Sequence, residues 1–170
     1  MAKNFSVRTH DGVILLFDSL RDPRDVANVI HLGLAAGVRV ELTGSSLAPT
    51  HPKVLNILTS WLAGFGGAPR LSHVKQSQDF FARVKALKKQ GFVLVGTSST
   101  AAATSIFESD LSKGKHVIVF GTETSGLSAE KLAQMDLVVR VPMLNSTNFF
   151  TISAVAPLIC YEVLRQKKLI

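Results

Sequence analysis

The chain has 170 residues, 46% of them hydrophobic and 18% charged, with a formal net charge of +7 and one cysteine, Cys160. That composition excludes a disordered chain, and one cysteine excludes an internal disulfide. No run of ~18 apolar residues is present, so no membrane span is expected.

The opening MAKNFSVRTHDG lacks the apolar core of a secretion signal. With no disulfide, a reducing, cytoplasmic setting is expected. The size suits one domain over residues 1–170 with a single sizeable core. The positive charge suits either a polyanionic partner or solubility alone. Basic residues come in scattered groups: Arg21, Arg24 and Arg39 early, Lys85, Lys88 and Lys89 midway, Arg165, Lys167 and Lys168 last. Any nucleic-acid surface must therefore be assembled by the fold.

Short β-rich runs alternate with helical periods. VILLF (13–17) reads as a buried strand. Asp22-Pro23 then offers a helix cap and a proline at the first helical position. Val26, Val29, Ile30, Gly33 and Leu34 follow with the spacing of one helix face, and Gly37 ends it. VRVEL (38–42) is the second strand. Val54, Leu55, Leu58, Trp61 and Leu62 mark a second helix, closed by the glycines at 64–67. RLSHV (70–74) is expected as a third, weaker strand, and a third helix runs from about Gln78 to Lys89. FVLVGT (92–97), HVIVF (116–120) and LVVRV (137–141) complete six strands. A short helix capped by Ser128 lies between the last two. A final helix covers Thr151 to Gln166, with Ser153 as its cap, so that Pro157 falls in the first turn. Cys160 sits in its apolar run as a buried, inert thiol. Such alternation predicts an α/β fold: a mostly parallel sheet with helices on both faces.

In open α/β sheets ligands sit beyond the carboxyl ends of the strands. The loop after the first strand, FDSLRDP, has no glycine. Neither GxGxxG nor GxxxxGK occurs anywhere, which argues against the usual dinucleotide and phosphate loops. Three late loops are the candidates: GTSST (96–100), GTETSGLS (121–128) and PMLNSTNFF (142–150). Each follows an apolar strand, and their small residues let a ligand approach the backbone. His10, His51, His73 and His116 show no metal-ligand spacing, so no metal is expected.

The combination of FGTETSGLS (120–128), VRVPM (139–143) and SAVAPLICYE (153–162) resembles the SpoU-like RNA 2′-O-ribose methyltransferases of the SPOUT superfamily. DPRDVANVIHLGLAAGV (22–38) is an earlier, weaker match. The resemblance runs from Phe17 to Gln166. It implies a C-terminal deep trefoil knot, S-adenosylmethionine bent inside the knotted loops, and a homodimer sharing its tRNA or rRNA site. Gly96, Thr97, Gly121, Val141 and Met143 would line the cofactor pocket, and Glu123 would order the loop and the neighbouring subunit's active-site elements.

The chain departs from that pattern at particular places. The family's early Asn, Gly and Arg fall on Asp25, Ala27 and His31. Its late Gly and Ser-x-Asn fall on Asn145, Phe149 and Thr151. The arginine is credited with activating the ribose hydroxyl. His31 is the candidate replacement, because an imidazole titrates near neutral pH and the helical spacing turns it away from the apolar stripe; the alternative is a solvated surface histidine. Arg21, Arg24 and Asn28, near the start of the same helix, are the candidate RNA contacts. Phe149 and Phe150 either pack at the pocket edge or the dimer contact, or stack on adenine or a target base; Phe149 is counted among the candidate cofactor-binding residues. Two functions follow: a methyltransferase acting on a ribose 2′-hydroxyl, or a catalytically degenerate homologue that binds RNA or the cofactor.

Overall fold

A computed structural model describes residues 9–63, 69–145 and 150–170. The sheet holds seven strands, not six: β1 (His10–Asp18), β2 (Val38–Thr43), β3 (Val74–Gln76), β4 (Phe92–Thr97), β5 (Thr104–Ser105), β6 (Lys115–Phe120) and β7 (Leu137–Arg140). All pairings are parallel, in the order β3-β2-β1-β6-β4-β7-β5. The added strand, β5, is two residues long and pairs only with β7. The third strand lies further along than RLSHV, on the polar VKQ at the sheet edge.

Side chains alternate across the central strands and feed two cores. Val13, Leu15 and Phe17 face α1 (Pro23–Ala36), α2 (Pro52–Leu62) and α5 (Ile152–Gln166). Ile14 and Leu16 face α3 (Phe80–Lys89) and, with Leu132, α4 (Ala129–Leu132). Burial on both faces explains why VILLF and HVIVF are near-continuous apolar runs. Phe17 and Phe120, paired on adjacent strands, stack with ring centroids 4.7 Å apart.

The helix ends follow local chemistry. The Asp22 carboxylate accepts from Arg24 N at 2.7 Å and Asp25 N at 3.1 Å, satisfying free amides of the first turn of α1. Gly37 closes that helix at φ 63°, a left-handed conformation that favours glycine. Ser128 caps α4 as expected. The last helix differs from expectation: Thr151, not Ser153, holds the cap position, so Pro157 stands inside the helix and its missing N–H removes an interior bond. Cys160 is fully buried, and burial pushes its thiol up to about 12.

Two histidines are buried rather than solvated. His73 is 3% exposed, with Nε2 2.9 Å from the Ile30 carbonyl. His116 is 4% exposed at the start of β6. Burial and nearby Lys167 hold its pKa down to about 4, with Asp110 opposing. The fold therefore favours the neutral ring. Stability is full above the unfolded value of about 6.5 and is lost as pH falls through about 4, by on the order of 2 kcal/mol. His73, lowered by burial, acts in the same sense. Denaturant titrations of His116→Phe against the parent between those pH values will show a shallower acid limb in the variant.

Candidate functional site

The carboxyl ends of β6, β4 and β7, neighbours in the sheet, open into one cleft of about 510 Å³. Its polar wall is the hydroxyl run Ser98–Thr100 with Thr97, Thr122 and Ser125. Its apolar wall includes Leu127, Leu132, Ile152, Val155 and Ile159. The strand ends are tied together from within: Thr97 Oγ1 donates to the Val119 carbonyl at 3.0 Å, and Ser98 N to the Val139 carbonyl at 3.0 Å.

The loop after β6 closes on itself. Thr122 N donates to the Gly126 carbonyl at 3.1 Å, and Gly126 N returns a bond to the Thr122 carbonyl at 2.9 Å. Thr122 Oγ1 lies 2.8 Å from Ser125 Oγ and accepts from Ser125 N at 3.2 Å. The two glycines have different reasons. Gly126 has φ 66° and open space around it, so backbone conformation selects it. A β-carbon on Gly121 would collide with the backbone of Gly126 and Leu127, so the close approach of two chain segments selects it.

Glu123, in the middle of this loop, is half-buried, and its Oε1 is buried without a hydrogen-bond partner. Burial raises its pKa, and the nearby carboxylates of Asp25 and Asp22 raise it further, partly offset by the Asp22 N–H. The start of α1 thus abuts the cleft loop through three acids. Arg140 also lines the cleft, with Nε donating to the Ala103 carbonyl at 3.0 Å.

Of the residues singled out from sequence, Thr97, Gly121, Glu123, Val141 and Met143 line this cleft. Gly96 lies beside it, where a β-carbon would press on Met135 at 2.6 Å. Phe149 lies outside the described residues, while its neighbour Phe150 borders the cleft. His31, Arg21, Arg24 and Asn28 do not line it. His31 is exposed on α1, its ring 5.9 Å from that of Trp61 in an edge-to-face contact. Arg21 reaches Ser45 Oγ through Nε and Nη2 at 3.0 and 2.9 Å. Arg24 borders a separate groove of about 380 Å³ with Lys53 and Asn56. Asn28 is half-buried on α1. The sequence reading missed Arg140 and the α5 wall. The i, i+3, i+7 spacing of Ile152, Val155 and Ile159 signalled an apolar face, but not what it faces.

Among the described residues, no group of three or more His, Cys, Asp or Glu side chains is placed to hold a metal ion, and no helix is long and apolar enough to cross a membrane.

The model of the SpoU rRNA Methylase family matches residues 12–161. The chain belongs to that family. A SpoU-family relative, a tRNA (guanosine(18)-2′-O)-methyltransferase of Thermus thermophilus, is 26% identical over 160 residues, 94% of this chain and 78% of that one. A 23S rRNA (guanosine-2′-O-)-methyltransferase, RlmB, of Coxiella burnetii is 26% identical over 161 residues, 95% of this chain and 61% of that one. The fold matches that of the SpoU methyltransferase AviRb from Streptomyces viridochromogenes, solved with AdoMet, at a TM-score of 0.75 and 24% identity, over 94% of this chain and 62% of that one. This SpoU chain thus spans about three-fifths of the length of two of these proteins and about three-quarters of the third.

Proposed function

We propose that this chain transfers a methyl group from S-adenosylmethionine to a ribose 2′-hydroxyl of tRNA or rRNA. The observation that carries the reading is the cleft shared by the loops after β4, β6 and β7, set in a chain of this family. Its fit to the cofactor rests on the site itself. The volume suits a nucleoside-sized molecule. One wall is apolar and the other lined with hydroxyls, and at Gly121 the backbone is packed too closely for any side chain. Thr97, Gly121, Val141 and Met143 would hold the cofactor, with Gly96 beside them; Phe149 is a further cofactor candidate from the sequence alone. The relatives named for 2′-O-methylation of guanosine in tRNA and 23S rRNA support the acceptor class.

When bound, the cofactor supplies a methyl group on a sulfonium, reactive toward an oxygen nucleophile in line with it. The chain has to position the ribose and give the hydroxyl proton a path. Positioning supplies much of the rate. Glu123 orders the loop, and His31 is the proton acceptor. Because His31 faces Trp61 rather than its own cleft, the reading includes a second copy. α1 packs on α5, whose outer face exposes Leu158 at 47% and Tyr161 at 43%. Pairing through that face would bring α1, with Arg21, Arg24, Asn28 and His31, to the partner's cleft and RNA. The reading further includes one SPOUT-type domain over 1–170, a C-terminal trefoil knot and a cytoplasmic setting.

Calorimetric titration with S-adenosylmethionine, followed by labelled methyl transfer to total RNA, tests this. Saturable binding and labelled RNA are expected, with His31→Ala lowering the rate by about 10²–10⁴-fold. Transfer untouched by His31→Ala would remove that residue's role. RNA binding with no transfer on any substrate would favour the degenerate binder, the reading that His31's place outside its own cleft supports.

A further inference from the structure

The positive charge is not concentrated at the cleft. Among the described residues lining it, Arg140 is the one cation and Glu123 the one acid, with Asp22 and Asp25 close to Glu123, while Arg24 and Lys53 border the separate groove. The charge gathers instead at the opposite end of the sheet, where the strands begin. Lys88 and Lys89 end α3, Lys113 and Lys115 lead into β6, and Arg165, Lys167 and Lys168 end α5 and follow it. Three groups far apart in sequence thus meet on one rim.

The contacts join them. Lys167 Nζ donates to the Gly114 carbonyl at 2.7 Å, which sets the end of α5 beside the Lys113–Lys115 turn. Lys115 Nζ stands 5.6 Å from the centroid of Phe92, just past the end of α3. Cations at a helix C-terminus complement its dipole, which accounts for Lys88, Lys89 and Arg165. It does not account for Lys113 and Lys115, which belong to no helix. Lys88 pairs with Asp136 and Arg165 with Glu162. Among the described residues, Lys89, Lys113, Lys115 and Lys168 enter no ion pair within 4.0 Å, and all four are exposed.

We infer that this rim, built on Lys89, Lys113, Lys115 and Lys168, docks the phosphate backbone of the RNA at a distance from the modified nucleotide. The inference rests on the reading that the substrate is RNA. Six-residue strands such as β4 put roughly 20 Å between the rim and the cleft. A structured RNA spans that distance, so the rim adds affinity without reading sequence.

Two matched double variants test it, Lys113→Gln/Lys168→Gln on the rim and Arg70→Gln/Lys75→Gln on exposed residues elsewhere. Affinity for a folded tRNA is measured by filter binding from about 50 to about 200 mM KCl, the salt range over which phosphate contacts are lost. Calorimetry with S-adenosylmethionine checks the cleft. The rim variant should bind RNA roughly tenfold more weakly, with a salt slope shallower by about 2, one per lost phosphate contact; cofactor affinity should stay unchanged. Equal losses in both variants would reduce the effect to net charge and overturn the placement. Unchanged RNA binding by the rim variant, with its binding to phosphatidylserine vesicles lost, would assign the rim to a membrane surface instead. If the parent protein binds cofactor but no RNA, the functional reading itself fails, a result distinct from failure of the rim alone.

Discussion

Gly121→Ala should abolish measurable S-adenosylmethionine binding and lower unfolding free energy by at least about 3 kcal/mol. Overpacking of a side chain costs typically 1–3 kcal/mol because neighbours shift. Here the added carbon meets the carbonyl group of Gly126 and the amide of Leu127, which cannot move without opening the paired bonds between Thr122 and Gly126. Gly126→Ala, five residues on in the same loop, is the control. It has open space and pays only for φ 66°, about 1–2 kcal/mol. Thermal unfolding and calorimetry on both variants separate the two. Equal, mild effects from both would show that the loop re-forms around Gly121 and that the cleft does not depend on this close approach.

Lys131→Met should destabilise by about 2–3 kcal/mol and weaken cofactor binding about tenfold. Asp18 ends β1 and is 1% exposed. Its Oδ2 accepts from Lys131 Nζ at 2.5 Å, and its Oδ1 from Thr43 Oγ1 at 3.0 Å. The Lys131 ammonium also lies 4.9 Å from the centroid of Phe80. Removing one partner of a buried ion pair leaves an uncompensated charge, worth roughly 3–5 kcal/mol when fully enclosed. Lys131 is 24% exposed, so solvent softens the loss. Methionine keeps the stem against Phe80 and removes only the charge. Asp18→Asn added to Lys131→Met should recover part of the stability, which a double-mutant cycle measures. The cofactor effect follows from position: α4 begins two residues after Leu127 of the cleft loop, its Leu132 lines the cleft, and Lys131 anchors it to β1. A change below about 0.5 kcal/mol, the size of an exposed pair, would mean the carboxylate is not held by Lys131.

Much of this fold was legible because its strands are buried on both sides. VILLF, FVLVGT and HVIVF needed no partner to be recognised, and the polar loops after the late strands marked the cleft. What local pattern carries poorly is adjacency. β5 has two residues and no periodicity, so nothing in Thr104–Ser105 announced a strand. β3 is an edge strand with solvated side chains, so the apolar signal peaked upstream, where Leu71 and His73 pack inward. His31 was correctly turned off the core stripe by helical spacing, but Trp61 is thirty residues away and its contact is tertiary. The same holds for the three acids around Glu123. Asp25 was noted only as a departure from the family's asparagine; that its charge raises the pKa of Glu123 needed the fold.

The strand order has a consequence for synthesis. β6 lies between β1 and β4, and Phe17 is paired with Phe120. A ribosome therefore completes β1 and β4 well before the strand that joins them exists. At roughly 5–20 residues per second, the edge of β1 waits on the order of 5–20 s for Lys115–Phe120 to emerge. During that interval β1, joined late by β4, presents an open hydrogen-bonding edge to other nascent chains. A chain stopped before residue 115 cannot close its sheet, so truncated products should aggregate, and yield in cells should respond to chaperone supply more than to the stability of the finished protein.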